Sequence, residues 1–283
     1  MTRTDVGDPM VAATRASAMT GDGPIFLRLE GDTLAAPFDG ALHPDDHLAV
    51  EALLSLDADV RDPVLVRWLT PGADERYFEV AILRGREGLA IVHSWEVTAH
   101  IRQQQVLEHL ALHDPLTGLA NRVLFKERVR GELRRRIRTD RDVAVVYADL
   151  DGFKEINDTW GHAAGDVVLT TLADRLRECV RPGDVVARLG GDEFAICCPD
   201  LSGAEDATAV AHRLVDDATK PVPIGSTLVR VSVAVGVALA EPDEPSDGGQ
   251  LIARADLAMY AAKGEGQTRV VLAASTEADR EVG

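Results

Sequence analysis

Cysteine is scarce: the 283 residues contain three. Three thiols cannot build the paired framework that staples small secreted domains, and Cys197 and Cys198, adjacent in a strand-like run, point to opposite faces. With Cys179 they read as reduced, buried, small hydrophobes of a cytoplasmic protein. Aromatic residues make up only 4% of the chain, so aliphatic packing must build the core. Basic charge is also short, 30 Lys and Arg against 47 Asp and Glu, for a formal net charge of −17. Such a surface repels nucleic acid, because duplex binding needs cations to displace condensed counterions. A local basic pocket for one phosphorylated small molecule remains open. No apolar run reaches the ~18 residues of a membrane span, so no direct membrane insertion is expected. The longest, Val231 to Ala240, reads as the buried part of one strand, "TLVRVSVAVGVALA". The opening "MTRTDVGDPM" lacks the apolar stretch of a secretion signal.

What is present is a globular composition, 46% hydrophobic and 27% charged, on a chain long enough for two domains. Residues 1–22 have no sustained period and are expected to be a disordered tail. Residues 23–95 carry strand-like runs, "PIFLRLE", "VLVRWLT", "RYFEVAILRG" and "LAIVHSWEV". A helix, "HPDDHLAVEALLSL", interrupts them, its start marked by Pro44 and Asp45. Residues 96–113 hold no Gly or Pro and place Val97, Ile101, Leu107 and Leu110 on one stripe, predicting a helical linker. Under three heptads is too short to establish a coiled coil. Residues 114–273 alternate strand and helix patterns in the order β-α-β-β-α-β plus a further helix and strand. That is the order of an α+β fold with a ferredoxin-like antiparallel sheet and flanking helices. Residues 274–283 form a tail.

Chemistry concentrates around "RLGGDEFAICC". Gly190 and Gly191 suit a tight hairpin turn, and Asp192 and Glu193 follow at its tip. In the ferredoxin-like topology the first and third strands are antiparallel neighbours, so the end of "VAVVYAD" at Asp149 adjoins Glu193. Carboxylates gathered without a counter-ion raise one another's pKa, and a divalent cation removes the conflict. The four letters "GGDE" alone describe a soluble turn equally well; "DLDGFKEIND" leaving the adjacent strand argues against that. Lys154 supplies a phosphate-compatible charge. Asn157 and Asp166 offer the donor and acceptor set that reads a guanine edge.

"DPLTGLANR", "DLDGFKEINDTWGHAAGD", "RLGGDEF" and "ADLAMYAAK", in this order, resemble the GGDEF-domain diguanylate cyclases over Asp114 to Leu272. The resemblance implies a nucleotidyl-cyclase-like fold that condenses two GTP into cyclic di-GMP and two pyrophosphates. Two domains of a homodimer would face each other, each presenting one GTP. It implies Asp149 and Asp192 as ligands of Mg²⁺ or Mn²⁺, two ions per active site, with the backbone carbonyl of Leu150. Glu193 is implied as a metal ligand or as the acid assisting 3′-hydroxyl deprotonation. Asn157 and Asp166 match the guanine-reading pair, Lys154 and Lys263 the phosphate lysines, and Gly190 and Gly191 the turn beside the nucleotide. Arg181 and Asp184 of "RPGD" match the family's inhibitory product site, although Pro182 and Gly183 also describe an ordinary helix-ending turn.

One departure stands out. Where relatives carry a second basic residue after the phosphate lysine, this chain has Gln267, which weakens the expected grip on the triphosphate. Arg269 is the nearest replacement. The histidines show no metal spacing, and His43 and His47 are expected to be solvated. The segment 23–95 resembles a short or degenerate PAS sensor, read as a dimerisation module without an organic cofactor. A catalytically weak cyclic di-GMP receptor and a GTP-binding sensor acting by occupancy are the alternatives; retention of Asp149, Asp192 and Glu193 favours the enzyme.

Overall fold

The computed structural model describes residues 25–27, 29–30, 33–34, 41–55, 60–72, 74–84, 90–139, 141–241, 245, 247–263 and 269–274. The expected N-terminal tail, Gln267 and almost all of the expected C-terminal tail lie outside them. The chain divides into two compact units, residues 1–107 and 108–283.

In the first unit, five antiparallel strands lie in the order Ile25–Leu27, Ala90–Glu96, Glu75–Arg84, Val60–Leu69, Ala41–Leu42. Trp68 and Phe78 meet edge-on at 6.3 Å beside buried Val66 and Val80. The helix His47–Ser55 is entered through one 3₁₀ turn, Pro44–Asp46. Arg67 fixes that turn to the sheet. Its Nη2 donates to Asp46 Oδ1 at 2.8 Å and its amide to Asp46 Oδ2 at 2.7 Å. His43 departs from expectation: it is half-buried, 3.6 Å from Asp45 and 3.8 Å from Glu75, while His47 is exposed. A helix Thr98–Leu112 follows, with Val106, Leu107 and Leu110 exposed.

The second unit contains α1 (Arg122–Thr139), β1 (Asp142–Asp151), α2 (Phe153–Trp160), α3 (His162–Cys179), β2 (Val185–Gly190), β3 (Glu193–Leu201), α4 (Ala204–Ala218), β4 (Val222–Ile224), β5 (Thr227–Val229), β6 (Ser232–Leu239), α5 (Gly249–Ala262) and β7 (Arg269–Leu272). The sheet order is β7-β6-β1-β3-β2. β1 is buried from Val143 to Leu150 without alternation, because helices cover both faces of the sheet. One face carries Val146, Leu150, Phe194 and Cys198 with α3 and α4; the other carries Val145, Tyr147, Ala195 and Cys197 with α1 and α5. Cys197 and Cys198 thus point apart, and burial pushes the Cys197 thiol up to about 12.

Three expectations need correction. The sheet is not wholly antiparallel: β7 follows the α5 crossover and therefore runs parallel to β6. "TLVRVSVAVGVALA" is not one strand, since Thr227–Val229 turns back at Gly225 (φ 58°) to pair with Val222–Ile224. Finally, α1 was not expected; its arginines mask an apolar stripe of Phe125, Val129 and Leu133.

Gly236 on β6 lets α5 lie directly on the sheet, because a Cβ there would overlap the Ala255 carbonyl and Met259 amide. Gly236→Ala is therefore expected to destabilise the protein by about 2 kcal/mol or more in urea unfolding. Gly131→Ala, on the exposed face of α1 with open space around it, should instead stabilise by ~0.5–1 kcal/mol. Equal effects of the two would refute this packing.

Candidate active site

The β1–β3 register sets Asp149 opposite Glu193. Between β2 and β3, Gly190 (φ 153°) and Gly191 (φ 51°) adopt backbone conformations that a side chain would strain. The amide of Leu150 donates to the Asp192 carbonyl at 3.3 Å, tying the hairpin tip to the end of β1. Asp149 and Glu193, directly paired, share the sheet face that also carries Tyr147 and Ala195.

Asp149 is only 6% exposed. Lys263, the residue after α5, places Nζ 3.0 Å from its Oδ1. Burial raises the Asp149 carboxyl, the Lys263 ammonium lowers it, and Asp192 and Glu193 raise it again; the balance lies above the usual carboxylate range. Burial lowers Lys263, but Asp149, Asp192 and Asp151 together hold it above its ordinary value. The Asp149 shift comes first from burial, while the Lys263 shift reports more negative charge around it than one lysine neutralises. Asp151 Oδ2 adds to it, buried without a hydrogen-bond partner. Among the described residues no three His, Cys, Asp or Glu side chains converge as around a closed metal centre. The donors that fit a hard divalent cation are the Asp149 and Asp192 carboxylates with the Leu150 carbonyl, an open set that leaves positions for phosphate oxygens.

Glu193 has its own support, not apparent from sequence. Arg122 Nη2 donates to its Oε2 at 3.0 Å, while Arg122 Nε holds the Leu189 carbonyl at 3.1 Å. Tyr147, buried two residues before Asp149, lies on the same sheet face; burial first, then the Glu193 charge, raise its phenol. Arg269 opposes Ala234, which opposes Asp149 across the next strand pair. Its side chain therefore leaves the same sheet face two strands away, ~10 Å across.

On the opposite face, Asn157 of α2 packs on Gly165 of α3, where a Cβ would overlap Asn157 Oδ1 and approach Phe153 Cζ to 3.1 Å. Gly165 immediately precedes exposed Asp166, so the two guanine-reading candidates stand on adjoining helices. Lys154 is exposed on the first turn of α2. Arg181 and Asp184 are brought together but satisfy each other: Arg181 Nε and backbone N each lie 3.2 Å from the Asp184 carboxylate, and Nη2 donates to the Pro199 carbonyl.

A further network was hidden in "DPLTGLANR". Thr117 donates its amide (2.8 Å) and hydroxyl (2.7 Å) to Asp114 Oδ1. Arg188 spans from Asp114 (3.0 Å) to the Gly191 carbonyl, reached by Nη2 at 2.7 Å and Nε at 2.9 Å. Asn121 accepts the Val123 and Leu124 amides at the start of α1 and donates to the Ala111 carbonyl at 2.7 Å. The segment after the Thr98–Leu112 helix is thereby wired to the hairpin turn.

The family described as "Diguanylate cyclase, GGDEF domain" matches residues 111–269. The bifunctional diguanylate cyclase/cyclic di-GMP phosphodiesterase MucR of Pseudomonas aeruginosa is 42% identical over 170 residues, covering 60% of this chain and 24% of that protein. The isolated GGDEF domain of TpbB from the same species superposes with a TM-score of 0.54 at 38% identity, covering 60% of this chain and 99% of that one. The coiled coil and GGDEF domain of DgcB from Caulobacter crescentus, solved with c-di-GMP, gives 0.57 at 29%, covering 62% and 93%. The chain thus spans about a quarter of its first curated relative.

Burial raises the Asp114 carboxyl, but Thr117 and Arg188 outweigh it and hold the group below the usual range. Stabilisation by this network is complete above the unfolded value of about 3.9 and is lost as pH falls through the lower folded value. Asp114→Asn should cost about 1–3 kcal/mol at neutral pH in denaturant unfolding. The gap to wild type should close below about pH 4 as Asp114 protonates. A gap constant down to the lowest pH at which the chain stays folded would remove this network from the stability of the unit.

Proposed function

The chain belongs to the GGDEF diguanylate cyclase family, and we propose that it condenses two GTP into cyclic di-GMP with release of two pyrophosphates. The observation that carries this reading is the buried Asp149 opposite Glu193, beside Asp192, with one lysine as its counter-charge. That surplus of negative charge suits Mg²⁺ or Mn²⁺, two per site, held by Asp149, Asp192 and the Leu150 carbonyl. When bound, the metal neutralises phosphate charge and polarises the reacting oxygens.

The chain's own residues do the positioning. Asn157 and Asp166 read the guanine edge, with Asn157 seated on Gly165. Lys263 is free to exchange Asp149 for the triphosphate, and Lys154 adds a second cation. Gly190 and Gly191 allow the backbone close to the nucleotide. Arg122 orients Glu193, as metal ligand or as acceptor of the 3′-hydroxyl proton. Arg269 supplies on the site face the charge that Gln267 lacks. Phosphoryl transfer draws its rate from this kind of positioning and charge neutralisation. Because one GTP is presented per domain, the reaction is proposed to occur in a homodimer with two sites face to face.

Residues 23–95 are proposed as a PAS-like module that sets dimer geometry, with residues 96–113 as its output helix. The five-stranded antiparallel sheet, accompanied among the described residues by the helix His47–Ser55, supports this. Arg181 and Asp184 are proposed as the product-inhibition site; there the ligand would have to open their mutual ion pair.

Chromatography of the nucleotide-stripped chain with GTP and Mg²⁺ is expected to show cyclic di-GMP. Asp192→Ala or chelation of divalent cations should reduce turnover on the order of 10²-fold or more. Arg269→Ala should raise KM for GTP by several-fold with a smaller change in kcat. GTP binding without product would sink the enzyme reading.

A further inference from the structure

Helix α1 carries charge opposite to the rest of the chain: eight Lys and Arg against two Glu, in a protein of net charge −17. Phe125, Val129 and Leu133 bury one side of it. On the other, Lys126, Arg130, Arg134 and Arg138 recur every four residues, and all four are exposed. None of the four meets an acidic partner among the described residues, whereas Arg122, Arg135 and Arg136 of the same helix are ion-paired. Like charges one turn apart weaken a helix, and the one acid on this face, exposed Glu127, ion-pairs with none of the four, so local stability does not account for the stripe.

Two large apolar side chains share the stripe. Val123, Arg130 and Ile137 are spaced by seven residues, nearly two full turns, and fall on one line along the helix. Val123 is 54% and Ile137 79% exposed. From Lys126 to Arg138 the stripe runs ~18 Å along the helix.

We propose that the outer face of α1 docks the chain on an anionic lipid surface. The helix lies in the interface plane, its four cations among the headgroups and Val123 and Ile137 at the headgroup–acyl boundary. A nucleic-acid duplex would meet the same cations but leave Val123 and Ile137 against phosphate and water; a bilayer boundary takes both. The acidic remainder of the chain is repelled by any polyanion, but that repulsion is screened beyond ~8–10 Å at moderate salt, so docking is short-ranged and confined to this face. This inference is independent of the cyclase reading and uses none of its site residues.

The test is co-sedimentation of the full chain with phosphatidylcholine vesicles, with and without about one third phosphatidylglycerol. Binding is expected to the anionic vesicles alone and to fall as salt rises. Arg130→Glu with Arg134→Glu should weaken it by about tenfold or more. Ile137→Ser should weaken it by a smaller factor without altering the salt dependence. If the charge reversal unfolds the chain, as judged by circular dichroism, Lys126→Ala with Arg138→Ala carries the same test. No binding at low salt, or binding unchanged in these charge variants, overturns the proposal. So does Ile137→Ser binding like wild type while duplex RNA competes with vesicles, which would assign the stripe to nucleic acid. Self-association at low salt without vesicle binding, abolished by the same variants, would assign it to a second copy of the chain.

Discussion

Two carboxylates occupying one rung of an antiparallel ladder impose a condition on everything near them. Asp149 and Glu193 are paired by the register of β1 and β3, so neither moves away without breaking the sheet. Water screens them poorly at the Asp149 end, where the side chain is nearly buried. The surrounding cations and donors are the protein's partial answer. Lys263 meets Asp149, Arg122 meets Glu193, and Arg269 stands on the same face two strands away. Burial first, then Asp192 and Glu193, hold Asp149 above its usual range despite Lys263, while Lys263 itself is raised by three acids at once. An incompletely neutralised acid pair is an affinity for cations built into the fold.

The scaffold makes that condition durable. Lys263 is delivered by α5, whose height above the sheet is set by the missing side chain of Gly236. Arg122 is delivered by α1, whose start is capped by Asn121. Arg188 holds the Gly191 carbonyl and Asp114 at once, so the turn bearing Asp192 and the segment that enters the unit share one guanidinium. Packing, capping and ion pairing thus converge on a few ångströms of backbone.

How much of this was legible beforehand depended on the kind of signal. The strand order and the meeting of Asp149 with Glu193 followed from alternating patterns and topology, because β1 and β3 are long apolar runs bounded by turn residues. α1 escaped because eight cations hide an apolar stripe only three residues deep. The β4–β5 hairpin escaped because its apolar residues run on into β6, and only the positive φ of Gly225 reveals the reversal. Arg188 and Asp114 lie 74 positions apart in sequence, and no local pattern links them. Arg269 was ambiguous until the parallel register of β7 fixed its face. That parallel pairing is itself a property of the crossover, which composition does not report.

The placement of Asp149 has a consequence for how this unit breathes. Its strand is hydrogen-bonded on both sides, by β3 and by β6, and is covered on both faces. Backbone amides on such a strand exchange with solvent only when the whole unit opens, whereas those of an exposed turn exchange through local fluctuation. One acid of the pair is therefore anchored in the slowest part of the unit, while the Gly190–Asp192 turn belongs to a faster one. A ligand that bridges them joins two regions of unequal stability. Its binding would be written most strongly in the slowed exchange of the turn, the half of the site with the most freedom to lose.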